Sequence, residues 1–247
     1  MGIINLLMPM GGRGSRFFEK GIVTPKPLIE IHGKPYFYWA VQSIKKFVTI
    51  EQLIFVVLEE HERKYQITKC IKSLYPSAEI VLIPDVLNGP VLTSLEGIKH
   101  INNNKGIVIN DCDHAFKSQE FYNFFHDNDL RQKIGGALLT FKSQNPNFSY
   151  IAYDQENNIT GTVEKKVVSS RAICGSYYFQ NKATFLNAAQ VYLNECEYKE
   201  YFVSGLFNTI IAQGKTVESF NVDFHLPFGT PEEYYLAKNS DLFWGLV

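Results

Sequence analysis

Ile3-Ile-Asn-Leu-Leu-Met-Pro-Met-Gly-Gly-Arg-Gly-Ser-Arg16 decides how the rest of this chain is read. Ile3 to Met8 is apolar apart from Asn5 and does not alternate, the pattern of a strand buried on both faces of a sheet. It runs straight into a loop containing Gly11, Gly12 and Gly14, residues that let a backbone turn sharply and bring its N–H groups close to a phosphate. Arg13 and Arg16 add guanidinium forks that match phosphate oxygens. Some ten residues later, the prolines of Pro25-Lys-Pro27 stiffen the chain around Lys26. A cation held this way meets developing negative charge with little reorganisation. The loop lacks the terminal Gly-Lys-Ser/Thr of a Walker loop. It also lacks the third glycine of the dinucleotide fingerprint, whose place is taken by Arg16 and Phe17.

Outward from this loop, strands and helices alternate. Leu53 to Leu58, Ile80 to Ile83 and Gly106 to Ile109 read as further strands. Pro35 to Phe47, Glu60 to Leu74 and Pro90 to Ile101 read as helices, with Pro35 suited to a first helical turn. Such alternation predicts a mostly parallel sheet covered on both faces. The second half is richer in strands: Ile134 to Phe141, Ser149 to Tyr153, Ile159 to Glu164, Ala172 to Phe179 and Thr216 to Asn221. Asn157-Asn158 suits a turn between two of them, and helices are expected over Lys182 to Cys196 and Val203 to Gln213. No repeat or linker interrupts the 247 residues, so a single domain is expected, with a nucleotide-binding half over about 1–133 and a smaller acceptor-binding half over 134–247.

A formal net charge of −1 gives no electrostatic reason to expect nucleic acid or an anionic membrane as partner. The N-terminal apolar run is too short to span a bilayer and lacks a signal peptide's charged start. Cys70, Cys112, Cys174 and Cys196 are scattered without a C-x-x-C pair, as in a protein whose thiols stay reduced. A cytoplasmic location is expected. The tail Asp241 to Val247 is apolar and covers either the core or a partner subunit of a homodimer.

Ligands of open α/β sheets gather beyond the carboxyl ends of the parallel strands. Two polar clusters fall there: the glycine loop, and Asn110-Asp-Cys-Asp-His114 after the fourth strand. Asp111 and Asp113 supply hard oxygens of the kind Mg2+ takes.

Met8-Pro-Met-Gly-Gly-Arg-Gly-Ser-Arg-Phe17, Thr24-Pro-Lys-Pro-Leu-Ile29 and Gly33-Lys-Pro35 together resemble the signature of the sugar-phosphate nucleotidyltransferases. The resemblance implies a Rossmann-like, three-layer α/β fold with a mixed, mostly parallel sheet and a small acceptor-binding subdomain. It implies Mg2+ as cofactor, a nucleoside triphosphate and a phosphorylated small molecule as substrates, and pyrophosphate as product. Met10, Gly11, Gly12, Arg13, Gly14 and Ser15 would wrap the triphosphate, with Arg16 and Lys26 serving its phosphates. Asn88, Gly89 and Thr93 match the segment that touches the base. Asp113 would hold the metal, with Asp111 beside it. On the acceptor side, Ser149-Tyr150, Glu164-Lys165 and Gly175 follow the family's order, so Tyr150, Glu164, Lys165 and Gly175 are expected to meet the acceptor.

Phe228-Gly-Thr-Pro-Glu-Glu233 resembles the family's closing element, but Pro227 stands where many members carry a second metal aspartate. Asp223 or His225 substitutes for it, or one carboxylate and the phosphates suffice, or turnover is lost and the chain is a nucleotide-binding regulator. A subgroup tied to capsule and surface polysaccharides also lacks that aspartate. An Asp-x-Asp at a strand end also marks metal-dependent glycosyltransferases, which do not usually begin with such a glycine loop.

Overall fold

The computed structural model describes residues 2–247. In its first half, β1 (Ile3–Met10) leads through the glycine loop into the short α1 (Ser15–Phe18). A small hairpin, β2 (Glu30–Ile31) and β3 (Lys34–Pro35), precedes α2 (Tyr36–Lys45) and β4 (Thr49–Leu58). Next come α3 (Glu59–Tyr65), α4 (Ile67–Leu74), β5 (Glu79–Ile83), α5 (Pro90–Ile98) and β6 (Gly106–Asn110). β7 (His114–Lys117), α6 (Gln119–His126) and α7 (Asn128–Lys133) close this half. The second half runs β8 (Ile134–Lys142), β9 (Ser149–Tyr153), β10 (Ile159–Glu164) and β11 (Arg171–Phe179). It ends with α8 (Lys182–Glu195), α9 (Leu206–Ala212), β12 (Thr216–Asn221), β13 (Phe224–Pro227) and α10 (Pro231–Ala237).

The central sheet has the order β10-β9-β11-β6-β1-β4-β5, with β8 paired to β11 and β12 to β8. The strands from β6 through β1 and β4 to β5 are parallel, whereas β11 joins β6 antiparallel and carries the second half into the same sheet. β1 shows why its sequence lacks alternation. Leu6, Met8 and Met10 enter one core with Phe37, Phe55 and Phe124, while Leu7 enters another with Val91, Phe185 and Phe207. Both faces are covered, so both need apolar residues.

The expected helix over Glu60 to Leu74 is two helices. Gln66 adopts φ 52° between α3 and α4, and its N–H still closes α3 on the Glu62 carbonyl at 2.9 Å. The break re-phases the chain so that Ile67 and Ile71 of α4 are buried, while α3 buries only His61. Pro35 caps α2 from an extended conformation instead of opening its first turn. The apolar tail forms a short 3-10 helix (Asp241–Leu246) whose Phe243 and Leu246 pack with Trp39, Tyr36 and Phe228. It covers this chain's own core and leaves Trp244 and Val247 exposed.

Candidate active site

Two cavities open at the carboxyl ends of the parallel strands and share one wall. The first, about 320 Å3, is bounded by Met10, Gly11, Gly12 and Gly14 on one side and by Leu87, Gly89 and Thr93 on the other. The second, about 280 Å3, is bounded by Arg16, Phe148, Glu164, Lys165, Gly175 and the loop from Pro227 to Glu233. Lys26, Pro90, Asp111 and Asp113 line both.

Local backbone chemistry builds this seam. Gly14 takes φ 67°, in the left-handed region where glycine pays no Cβ penalty, and a Cβ there would lie 3.1 Å from Cβ of Lys26. Lys26 opens a 3-10 turn (Lys26–Leu28) pinned by Pro25 and Pro27. Its ammonium reaches Asp113 Oδ2 at 2.7 Å, both side chains being about a quarter exposed (26% and 22%). Asp111 is fixed by its N–H, which donates to the Gly175 carbonyl at 2.9 Å. Gly175 has φ +85°, and a Cβ there would come 2.7 Å from Asp111 Oδ2. It lies where the pairing of β11 with β8 slips between Ile173 and Tyr177.

The closing loop locks Asp113 from the other side. The Phe228 N–H donates to the Asp113 carbonyl at 2.9 Å. A Cβ on Gly229 would meet Asp113 Oδ2 at 2.5 Å, so only glycine lets this loop approach. Glu233 accepts the N–H groups of Gly229 and Thr230, each at 3.0 Å, and completes a capping box with Thr230 at the start of α10.

Charge is unevenly distributed along the seam. Burial pushes the Asp113 carboxyl up, but the Lys26 charge and hydrogen bond prevail and hold it below the usual carboxylate value. Asp111 has no such partner; burial, then the Asp113 charge, lifts it to about 7. Burial works against the Lys26 charge, and Asp113 outweighs it, so the ammonium is held more firmly than usual. Two carboxylates facing one lysine leave surplus negative charge on hard oxygen donors. Among the described residues no group of three His, Cys, Asp or Glu side chains is arranged to hold a metal. The carboxylate oxygens of Asp111 and Asp113 are hard donors of the kind that fit a Mg2+ ion taking its remaining ligands from water and substrate oxygens.

The residues expected to meet the acceptor are held individually. Glu164 accepts hydrogen bonds from the hydroxyls of Ser149 and Ser204. Lys165 adopts φ 52° and places its ammonium 5.0 Å from the centre of the Phe202 ring. His114 and His225 lie in the same wall with ring centres 5.5 Å apart, and none of their four ring nitrogens has a hydrogen-bond partner in the protein. Burial lowers His114 to about 4 and His225 well below its usual value.

Several sequence-derived expectations land elsewhere. Arg13 points away from the first cavity to pair with Glu60 at 3.7 Å, and Ser15 lines that same outer surface. Arg16 borders the second cavity, not the first. Asn88 is exposed and contributes its carbonyl, which accepts the Tyr201 N–H at 3.3 Å. Thr93 does border the first cavity, but it is only 5% exposed and turns its hydroxyl back to the Gly89 carbonyl at 3.4 Å. Tyr150 is fully buried, and its hydroxyl donates to the Asn145 carbonyl at 2.7 Å. It supports the loop that carries Phe148 instead of lining the cavity. Asp223 accepts weakly from the Gln119 N–H at 3.5 Å and lines neither cavity. Glu200 in the first cavity, and Tyr177 and Phe202 in the second, carried no sequence signal of their own.

An α/β sheet with two joined cavities, and with cations and carboxylates at the junction, has the geometry to hold two anionic ligands side by side. The pattern of the nucleotidyl transferase family matches residues 5–242, and the chain belongs to that family. A nucleoside-diphosphate-sugar pyrophosphorylase from Vibrio cholerae RC9 superposes with a TM-score of 0.82 at 22% identity, over 95% of this chain and 100% of that one. The inositol-1-phosphate CTP transferase from T. maritima superposes at 0.76 with 14% identity, over 100% of this chain and 95% of the other. Among curated protein sequences none matches this chain.

Proposed function

We propose that this nucleotidyltransferase moves the nucleotidyl group of a nucleoside triphosphate onto a phosphorylated small molecule, foremost a sugar 1-phosphate, and releases pyrophosphate. The observation that carries this reading is the shared wall: Lys26, Asp111 and Asp113 border both cavities. The triphosphate occupies the first cavity, with its α-phosphorus at the seam. The acceptor occupies the second, with its phosphate toward Lys165 and a hydroxyl on Glu164. No side-chain nucleophile is required, because the acceptor phosphate is already an anion; the residues position it in line and stabilise charge. Arg16, at the rim of the second cavity, meets the acceptor phosphate, a place better suited to that group than to the leaving pyrophosphate. Mg2+ on Asp113 would screen the two anions from each other. The names of the structural neighbours, a sugar pyrophosphorylase and an inositol phosphate CTP transferase, support the same substrate class. Pro227, in place of the family's second metal aspartate, supports a setting in cytoplasmic synthesis of capsule or surface-polysaccharide precursors.

A pyrophosphate-release assay across the four common nucleoside triphosphates and a panel of phosphorylated acceptors tests this. One pairing is expected to turn over in Mg2+. Nucleotide binding with silence across the whole panel would favour a regulatory relative that has lost turnover.

A further inference from the structure

The carboxylate to which the proposed reaction assigns the metal is already paired. Lys26 Nζ lies 2.7 Å from Asp113 Oδ2, and a dication on that carboxylate would stand within contact range of an ammonium. Lys26 cannot withdraw by moving its backbone. Pro25 and Pro27 flank it, Leu28 N–H closes on the Pro25 carbonyl at 2.8 Å, and Ile29 N–H on the Lys26 carbonyl at 3.2 Å. Gly14 packs against its Cβ. Only the flexible four-carbon stem is free, and it lines both cavities. The ammonium sits on the Asp113 carboxylate, and its stem borders the first cavity beside Met10, Gly11, Gly12 and Gly14. A triphosphate there would carry several negative charges and oxygen ligands of its own.

We propose that Lys26 gates the metal site: its ammonium holds Asp113 until a bound triphosphate draws it into the first cavity, so divalent cation and nucleotide enter together. This rests on the reaction proposed above. Protein alone offers the cation two carboxylates, one of them neutralised by Lys26. Protein with nucleotide offers phosphate oxygens and a released Asp113.

Mn2+ is the probe, read as loss of the free-ion signal in electron paramagnetic resonance. Without nucleotide, Lys26→Met is expected to bind Mn2+ at least about tenfold more tightly than wild type, as removal of one like charge at close range requires. Adding Asp113→Asn to Lys26→Met should abolish that gain. Lys26→Gln serves the same purpose if the methionine variant fails to fold. Equal Mn2+ affinity in wild type and both Lys26 variants overturns the gate while leaving the reaction intact. Water-proton relaxation then separates the two claims. If Mn2+ with each of the four common triphosphates shows no protein-bound enhancement on wild type, the reaction itself is misassigned and the gate falls with it.

Discussion

Gly89→Ala is the substitution whose cost the structure specifies most closely. Gly89 stands before α5 with φ 99° and ψ 165°, a region essentially reserved for glycine, where another residue costs about 1–3 kcal/mol. A Cβ there would lie 2.5 Å from the Tyr201 nitrogen and 2.7 Å from its carbonyl oxygen. Those atoms are backbone, so no rotamer relieves the clash, and pushing the strands of chain apart adds a further overpacking cost of about 1–3 kcal/mol. The push also breaks the stitch in which the Val91 N–H donates to the Tyr201 carbonyl at 3.0 Å and the Tyr201 N–H to the Asn88 carbonyl at 3.3 Å. The sum is about 2–6 kcal/mol; at roughly 2–4 °C per kcal/mol for a chain of this size, melting should fall by at least about 4 °C. Neighbouring residues carry Glu200 into the first cavity and Phe202 into the second, so KM for both substrates should rise with the loss of stability. Gly12→Ala is the control: nothing lies within 4 Å of its Cβ position, and its stability should change by no more than about 0.5 kcal/mol. Calorimetry of both variants is the assay. A Gly89→Ala protein that melts with wild type would refute the reasoning.

Asp113→Asn should lower kcat by about two orders of magnitude or more, the loss usual for one charge-stabilising group; near-wild-type turnover would remove Asp113 from the site. Lys165→Met should raise KM for the phosphorylated acceptor while leaving triphosphate affinity, measured by calorimetric titration, unchanged. Burial lowers His114 from 6.5 to about 4 in the folded chain. The unfolded chain therefore binds the extra proton first, and stability is fully present above pH 6.5 and declines as pH falls toward 4. His114→Gln should flatten that decline in thermal melts between those limits, and an unchanged slope would assign it to other groups.

Much of the fold was legible because both faces of the parallel strands are covered. The continuous apolar runs around Leu6, Val56 and Ile107 could mean little else, and the glycine loop after the first of them located one end of the sheet. The position of Asp113 at the carboxyl edge of the sheet was legible for the same reason, since it follows the strand Gly106–Asn110. The break at Gln66 was not, because a left-handed glutamine is chosen by the burial of Ile67 and Ile71 and not by its own preference. The β7–β13 ribbon was missed because it is short, half-polar and ends in Pro227. Side-chain direction was the other blind spot. Arg13 occupies a loop expected to bind phosphate yet pairs with Glu60, and Tyr150 stands in a segment expected to meet the acceptor yet faces inward to Asn145. Arg13 is decided by a partner far along the chain and Tyr150 by burial beside its own loop, neither of which the local motif encodes.

A crystal structure with an unreactive α,β-imido triphosphate and Mg2+ tests the central claim most directly. The α-phosphate should stand at the junction of the two cavities, with Lys26 on its oxygens and the metal on Asp113. A triphosphate seated away from Lys26 and Asp113, with the second cavity cut off from its α-phosphorus, would contradict it.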